Sequence, residues 1–231
     1  MRLDILSSIG LFCILIAPFA GGAQTGRDAA AALPRMIPIF PLADVMLFPN
    51  STRPLHIFEA RYGEMVADAL ASDSIIGMVL LQPGFESEYE GRPPVYAVGC
   101  AGVIVAVEEL PDGRYNIVLD GLVKFRVMGE DSSRSYRRAR VEALPEVVEG
   151  SEREMLGRSR RRLEEVVRAV APRVQVPPEL PDEELIDVLS AFLPLEPLSR
   201  QELLEADGPV QRVSMLIGLL GGSARGFAPS N

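Results

Sequence analysis

The residue types that most often do chemistry in proteins are scarce in this sequence, which has one lysine, one histidine and two cysteines. Lys124 follows Val123, so the Gly–Lys pair of a nucleotide-binding phosphate loop is missing. A serine–lysine nucleophilic pair would have to use Lys124, which alternates with Val123, Phe125 and Val127 in the pattern of a β-strand. We therefore predict neither ATP hydrolysis nor serine–lysine proteolysis.

The remaining nucleophiles and metal ligands also argue against an enzyme. His56 lies in the strand-like stretch "RPLHIF", where a surface imidazole is the simpler interpretation. Cys100 is the one cysteine outside the predicted signal peptide, so a Cys–His pair would have to combine it with His56. A zinc site needs about four nitrogen or sulfur ligands, which this inventory does not supply. The acidic runs at 108–109 and 182–184 are typical of solvated turns and helix starts. We predict no catalytic residue, no cofactor and no metal.

Charge makes a nucleic-acid partner unfavourable. The chain has 231 residues, a formal net charge of -9 and a pI of about 4.8, whereas phosphate binding requires concentrated Lys and Arg. Two basic runs, 134–140 and 158–162, are interleaved with or flanked by glutamates, as on solvated faces. The overall composition, 48% hydrophobic and 24% charged, is that of a globular protein.

The first 23 residues differ from the rest. Arg2 precedes an apolar stretch from Ile5 to Ala20, and Gly21-Gly22-Ala23 offers small residues for cleavage. We predict a signal peptide over 1–23 and a secreted or periplasmic location. The alternatives are an uncleaved membrane anchor, the only route to a membrane, and an untargeted cytoplasmic extension. Residues 24–35 are predicted to be a flexible lead-in.

The elements that position these residues change in period near residue 146. From 36 to 146 the pattern is β-rich, with Asp112-Gly113 as a hairpin turn, Asp120-Gly121 as a turn or bulge and a mobile loop over 83–94. One helix is predicted from Glu59 to Ala71. The predicted strands are "IPIF", "DVMLF", "IIGMVLLQ", "AGVIVAVEEL", "RYNIVLDG", "LVKFRVMG" and "YRRARVEAL".

From 147 to 222 the period is helical, and 223–231 is predicted to be a tail. Ser151 with Glu154, and Ser199 with Glu202, match the capping-box signature of a helix start. Asp182 opens a further helix, and the last helix is predicted to stop at Gly221-Gly222. Strands followed by helices indicate an α+β fold.

The opening block "IPIFPLADVMLFPNSTRPLHIFEARY" resembles the amino-terminal, substrate-recognition domain of the Lon proteases. The likeness rests on Phe40-Pro41-Leu42, Phe48-Pro49, Pro54-Leu55 and the block 57–62, and the later segments follow the same order to Leu220. Ala60 stands where that family usually has proline. The resemblance implies a PUA-like, partly closed β-structure followed by a helical bundle, in a stand-alone member without ATPase or protease domains.

The resemblance also implies a function. We expect a non-catalytic module that binds unfolded polypeptide or exposed apolar segments, with a protease as a further partner. The alternative is a scaffold that binds one folded protein or itself. Phe40, Phe58 and Phe125 are expected in the core. The residues predicted to contact polypeptide are Phe48, Leu55, Tyr62, Phe85 and Tyr89.

Overall fold

A computed structural model describes residues 26–85 and 91–226, so the predicted signal peptide and Tyr89 lie outside the described residues. Within these described residues, six strands and six helices follow one another. The strands are β1 Met36–Leu42, β2 Thr52–Ile57, β3 Ile75–Leu80, β4 Val98–Glu109, β5 Tyr115–Asp131 and β6 Arg137–Leu144. The helices are α1 Gly26–Ala32, α2 Ala60–Leu70, α3 Ser151–Val170, α4 Asp182–Phe192, α5 Pro197–Glu205 and α6 Gly208–Gly226. The α+β prediction is confirmed.

The strands form one sheet in the order β2-β5-β4-β3-β1-β6, and a further pairing between β5 and β6 closes five of them into a barrel. This closure depends on the length of β5, which has 17 residues. Its second half pairs with β6, while its first half runs beyond the barrel and pairs with β2. The sequence predicted two strands here, because Asp120-Gly121 looks like a break. The chain instead continues through a bulge in β5 itself, where Leu122 is the extra residue opposite Ala101 and Gly102 of β4.

Two hydrophobic clusters hold the fold together. The smaller one fills the barrel, where Phe125, Ile39 and Ala139 are fully buried. Ala29 of α1 joins this cluster, so part of the predicted flexible lead-in is a helix packed against the barrel. The larger cluster lies between the outside of the sheet and the helices, and it includes Leu119 of β5 and Leu163 of α3. The β-rich and helical halves therefore share one core, although the strands end with β6 and the remaining elements, from α3 onward, are helices.

Several predicted element ends are wrong. Gly150 stands at the N-cap of α3 and Glu196 at that of α5, and neither helix has a side-chain capping bond, so the two predicted capping boxes do not form. The last helix continues through Gly221-Gly222 to Gly226. The stretch "DVMLF" forms no strand; its Leu47 and Phe48 enter the larger core from an irregular segment. In the part of the chain that the structure describes, no helix has both the length and the hydropathy to cross a membrane.

Candidate functional site

The first half of β5 and its two neighbours form a three-stranded extension that protrudes from the barrel. It consists of β2, residues 104–109 of β4 and residues 115–120 of β5. Alternate side chains of β5 point to opposite faces. Ile117 and Leu119 are buried in the larger core, which makes that side the inner face, whereas Asn116 and Val118 lie on the opposite, outer face.

The strand register places matching residues of the outer face in two rows across the strands. One row is apolar and joins Pro54, Val118 and Ala106. The second row is polar and joins His56, Asn116 and Glu108. Together these rows line a groove of about 500 Å³ that is open to solvent.

Hydrogen bonds fix the polar row. Asn116 donates from Nδ2 to Glu108 Oε2 at 2.8 Å, so its Oδ1 faces His56 Nδ1 at 2.7 Å. His56 Nδ1 must then be the donor, and its Nε2 lies 3.3 Å from the Arg114 guanidinium, which can only donate. Both contacts fit a neutral imidazole with its proton on Nδ1. The groove thus has one ordered polar wall beside an apolar strip.

Exposed apolar side chains surround this groove. Val105, the extra residue of a bulge in β4, is 41% exposed, whereas Val107, which is 47% exposed, pairs with Ile117 and so belongs to the opposite face. Phe58 is 68% exposed and stacks against His56 with ring centroids 6.3 Å apart. The expectation that Phe58 lies in the core is wrong. It follows β2 two residues after His56, and this spacing directs it to the solvent side rather than toward the helices.

The outer edge of β2 has no partner strand among the described residues, since β2 pairs only with β5. Gly121 N–H donates to Ser51 C=O at 2.9 Å, and in that register the odd-numbered residues of β2 exchange hydrogen bonds with β5. The backbone groups of Thr52, Pro54 and His56 therefore point away from the sheet. Pro54 costs no ladder hydrogen bond there, because its missing N–H faces the free edge.

Of the five predicted contact residues, Tyr89 lies outside the described residues, and the other four do not form one surface. Phe48 is fully buried and Tyr62 is 3% exposed, so neither side chain can take part in a surface contact. Both side chains pack in the larger core. The Tyr62 ring of α2 contacts the Phe40 ring of β1 with centroids 4.5 Å apart, so Tyr62 joins this helix to the sheet. Leu55 is half-buried, packs on the larger core and lines the groove beside Pro54. Phe85 is 37% exposed and lies outside the groove lining.

The sequence analysis missed most of the outer face. Val118, Asn116, Ala106 and Glu108 were not singled out, and His56 was interpreted only as a surface residue. One available signal was the alternation in "NIVLD", in which Ile117 and Leu119 alternate with less apolar neighbours. That alternation identifies two faces, but it does not show which strands lie on either side of β5.

The one lysine has a structural role. Lys124 Nζ contacts Glu146 Oε1 at 2.6 Å and donates to the Ala206 carbonyl at 2.9 Å, so it joins β5 to the helical half. Burial tends to raise the pKa of Glu146, but Arg212 and Lys124 outweigh it and hold this pKa below its ordinary value. Burial raises the pKa of the Cys100 thiol well above its ordinary value, which keeps this cysteine protonated and a poor nucleophile.

A second, smaller cavity of about 160 Å³ is lined by arginines that hold structural partners. Arg137 pairs with Glu130 and donates to the Pro93 carbonyl at 2.6 Å. Arg61 pairs with Glu59 at 2.9 Å and lies over the Tyr62 ring. These contacts assign the cavity to the packing of α2 against the barrel. Within 26–85 and 91–226, no group of three or more His, Cys, Asp or Glu side chains is placed to hold a metal ion.

Comparison with known proteins identifies the family. The model of the "ATP-dependent protease La (LON) substrate-binding domain" matches residues 36–221, which covers both the sheet and the helices. The chain belongs to the Lon substrate-binding domain family. This assignment agrees with the resemblance in the opening block.

Relatives of this Lon domain are much longer than the chain itself. A Lon protease of Trichlorobacter lovleyi is 31% identical over 196 residues, which is 81% of this chain and 24% of that protein. Lon protease 2 of Sorangium cellulosum is 30% identical over 201 residues, 80% of this chain and 24% of the relative. The chain thus spans about a quarter of the length of these relatives.

Solved Lon structures agree with the fold. The Lon N-terminal domain protein of Xanthomonas campestris is 25% identical with a TM-score of 0.56, over 79% of this chain and 97% of that one. The N-terminal domain of a Lon protease from the Mycobacterium avium complex has a TM-score of 0.59 at 18% identity, over 80% of this chain and 98% of the other. The latter likeness concerns the fold alone.

Proposed function

We propose that the protein binds polypeptide substrates as extended segments with exposed apolar side chains, without cleaving them. The observation that carries the proposal is the groove on the outer face of the three-stranded extension, next to the free edge of β2. Pro54, Val118 and Ala106 provide an apolar strip, and the edge provides backbone acceptors and donors. Membership of a substrate-binding domain family supports this choice of ligand.

Strand addition explains how one surface can accept many sequences. An extended segment beside β2 can donate to the carbonyls of Thr52, Pro54 and His56, and main-chain hydrogen bonds of this kind do not depend on side-chain identity. Side chains that point toward the apolar strip then add affinity by burying nonpolar area. A folded protein has few unpaired extended segments, so the surface discriminates against it.

The test is fluorescence anisotropy of the purified protein with a labelled, permanently unfolded protein, and with the folded form of the same protein as control. We expect saturable binding to the unfolded form alone. Ala106→Glu puts a charge on the apolar strip and should weaken binding about tenfold or more, because the charge must be desolvated beneath the ligand.

Met155→Glu is a matched control, because Met155 is 44% exposed on α3, away from the groove. This variant should bind as the wild type does. Equal loss in both variants, or binding that Ala106→Glu leaves unchanged, would remove the groove from the proposal. No binding to either form of the labelled protein would favour a scaffold for a folded partner or for a second copy of the chain.

Two further parts of the proposal concern the cellular setting. A protease is the partner that would consume the bound polypeptide, and it should be recovered with the protein after crosslinking in cells.

Residues 1–23 should export the protein. A reporter fused to residues 1–35 that remains in the cytoplasm would contradict this location.

A further inference from the structure

Asp120 is the next residue on the outer face after Val118. It pairs with Thr52 of β2 and with Val103 of β4, and these three residues form a third row that lies next to the apolar row, just beyond the groove lining. Its side chain is half-buried. Two residues along a strand span about 7 Å, which puts its carboxylate one side-chain position beyond the apolar strip.

The Asp120 carboxylate has no hydrogen-bond donor or cation among the residues that the structure describes, and burial alone raises its pKa. Other carboxylates near the groove are engaged: Glu108 accepts from Asn116, and Asp112 accepts from Arg114 at 2.7 Å. A half-buried carboxylate loses part of its hydration without a partner to replace it. A cationic ligand group would supply that partner.

We infer that Asp120 makes the groove selective for extended segments in which a lysine or arginine lies two positions from an apolar residue. This inference rests on the proposed function and specifies the substrate class. An extended ligand repeats its side chains on one face at the same interval of about 7 Å, so an apolar side chain on Val118 brings its neighbour to Asp120. The net charge of -9 also attracts basic segments.

The test uses two labelled peptides that differ only in charge. One carries Lys-Ser-Leu-Ser-Lys in a Gly/Ser host and the other carries Gln-Ser-Leu-Ser-Gln, so the preference does not depend on the direction in which the peptide binds. Anisotropy titrations should show about threefold to fivefold tighter binding of the lysine peptide, the range expected for one partly exposed ion pair. Asp120→Asn should abolish this preference and leave the affinity for the glutamine peptide unchanged.

Glu109→Gln is the matched control, because Glu109 is an exposed carboxylate of β4 that pairs with Tyr115 and so belongs to the face opposite Asp120. It should keep the lysine preference. Asp120→Asn is nearly isosteric and removes an unpaired carboxylate, so its Tm should equal or exceed that of the wild type, which shows that the variant is folded.

The outcomes separate this inference from the proposed function. If the unfolded protein binds and the two peptides bind with the same affinity as each other, the role of Asp120 is overturned and the groove remains a polypeptide site. A preference that survives Asp120→Asn has the same meaning. Failure of the unfolded protein and both peptides to bind the wild type overturns both proposals together.

Discussion

Arg212 of α6 donates a hydrogen bond of 2.6 Å to Asp187 of α4, and both side chains are buried. Arg212 also forms two hydrogen bonds to Glu146, and Asp187 accepts from Asn50 Nδ2 at 2.8 Å. With Lys124, this ionic network connects the sheet, the segment after β6 and two helices. It is a buried polar link between the halves that share the larger core.

Replacing Arg212 with methionine should destabilise the protein by about 3–5 kcal/mol, because the largely buried Glu146 carboxylate loses the guanidinium that holds it ionised and Asp187 loses a buried hydrogen-bond donor. Urea unfolding measures the change. Arg162→Met is the control, since the Arg162–Glu165 pair is exposed on α3 and should contribute less than about 1 kcal/mol. Equal effects of the two substitutions would show that the buried network does not hold the halves together.

The same network predicts how stability depends on pH. Burial raises the pKa of Asp187 from its ordinary value to about 7, although Arg212 acts in the opposite direction. Between about pH 4 and pH 7, Asp187 is therefore protonated in the folded state and ionised in the unfolded state. The stability from this group is complete below the unfolded pKa, near 4, and is lost as pH rises through about 7.

Asp187→Asn tests this dependence and cancels contributions from other groups, such as Glu146, whose pKa shifts the other way. As pH rises from 4 to 7, the unfolding free energy of the wild type should fall relative to that of the variant. Parallel pH curves for the two proteins would show that Asp187 does not titrate in this interval.

Gly121→Ala should destabilise the protein by more than about 1–3 kcal/mol, the usual cost of overpacking. A β-carbon at Gly121 would lie 2.0 Å from the Phe48 carbonyl oxygen, and backbone cannot rotate away as a side chain can. Gly218→Ala is the control, because its β-carbon meets nothing within 4 Å on α6 and should stabilise the helix by up to about 1 kcal/mol. Thermal unfolding measures the Tm of both variants. A wild-type Tm for Gly121→Ala would contradict this account.

Phe48 and Phe85 should respond differently to truncation, although the sequence suggested one role for both. Phe48→Ala removes a fully buried ring and should cost about 3–5 kcal/mol. Phe85→Ala should change stability by less than about 0.5 kcal/mol, because the ring is already partly solvated. Chemical denaturation compares them directly, and similar losses would place Phe85 in a packed environment that its exposure does not indicate.

Local patterns predicted the fold better than they predicted the site. The hairpin at Asp112-Gly113 forms between β4 and β5 with Gly113 at a positive φ of 81°, and α2 lies where its apolar period placed it. Both features depend on neighbouring residues alone. The capping boxes at Ser151 and Ser199 failed because Gly150 occupies the N-cap of α3, which puts Ser151 inside the helix, and because Pro197 begins α5 two residues before Ser199.

The sequence by itself determined which family the chain resembles and which two motifs it does not spell out. The one lysine follows Val123 in a strand-forming stretch, so the sequence predicts neither a phosphate loop nor a serine–lysine pair, and the proline-punctuated opening block is a long, ordered pattern. These conclusions need only residue identity and spacing.

Tertiary structure alone decided which apolar residues are exposed and which charges meet. Phe48 and Phe58 are ten residues apart, and each follows an apolar residue in the sequence. Phe48 is nevertheless fully buried, whereas Phe58 is exposed to solvent. Arg212 and Asp187 come from different helices, and Asp120 acquires its neighbours only when β2 and β4 pair with β5. Local sequence sets the alternation of side chains, whereas burial and charge pairing arise from contacts between segments far apart in the chain.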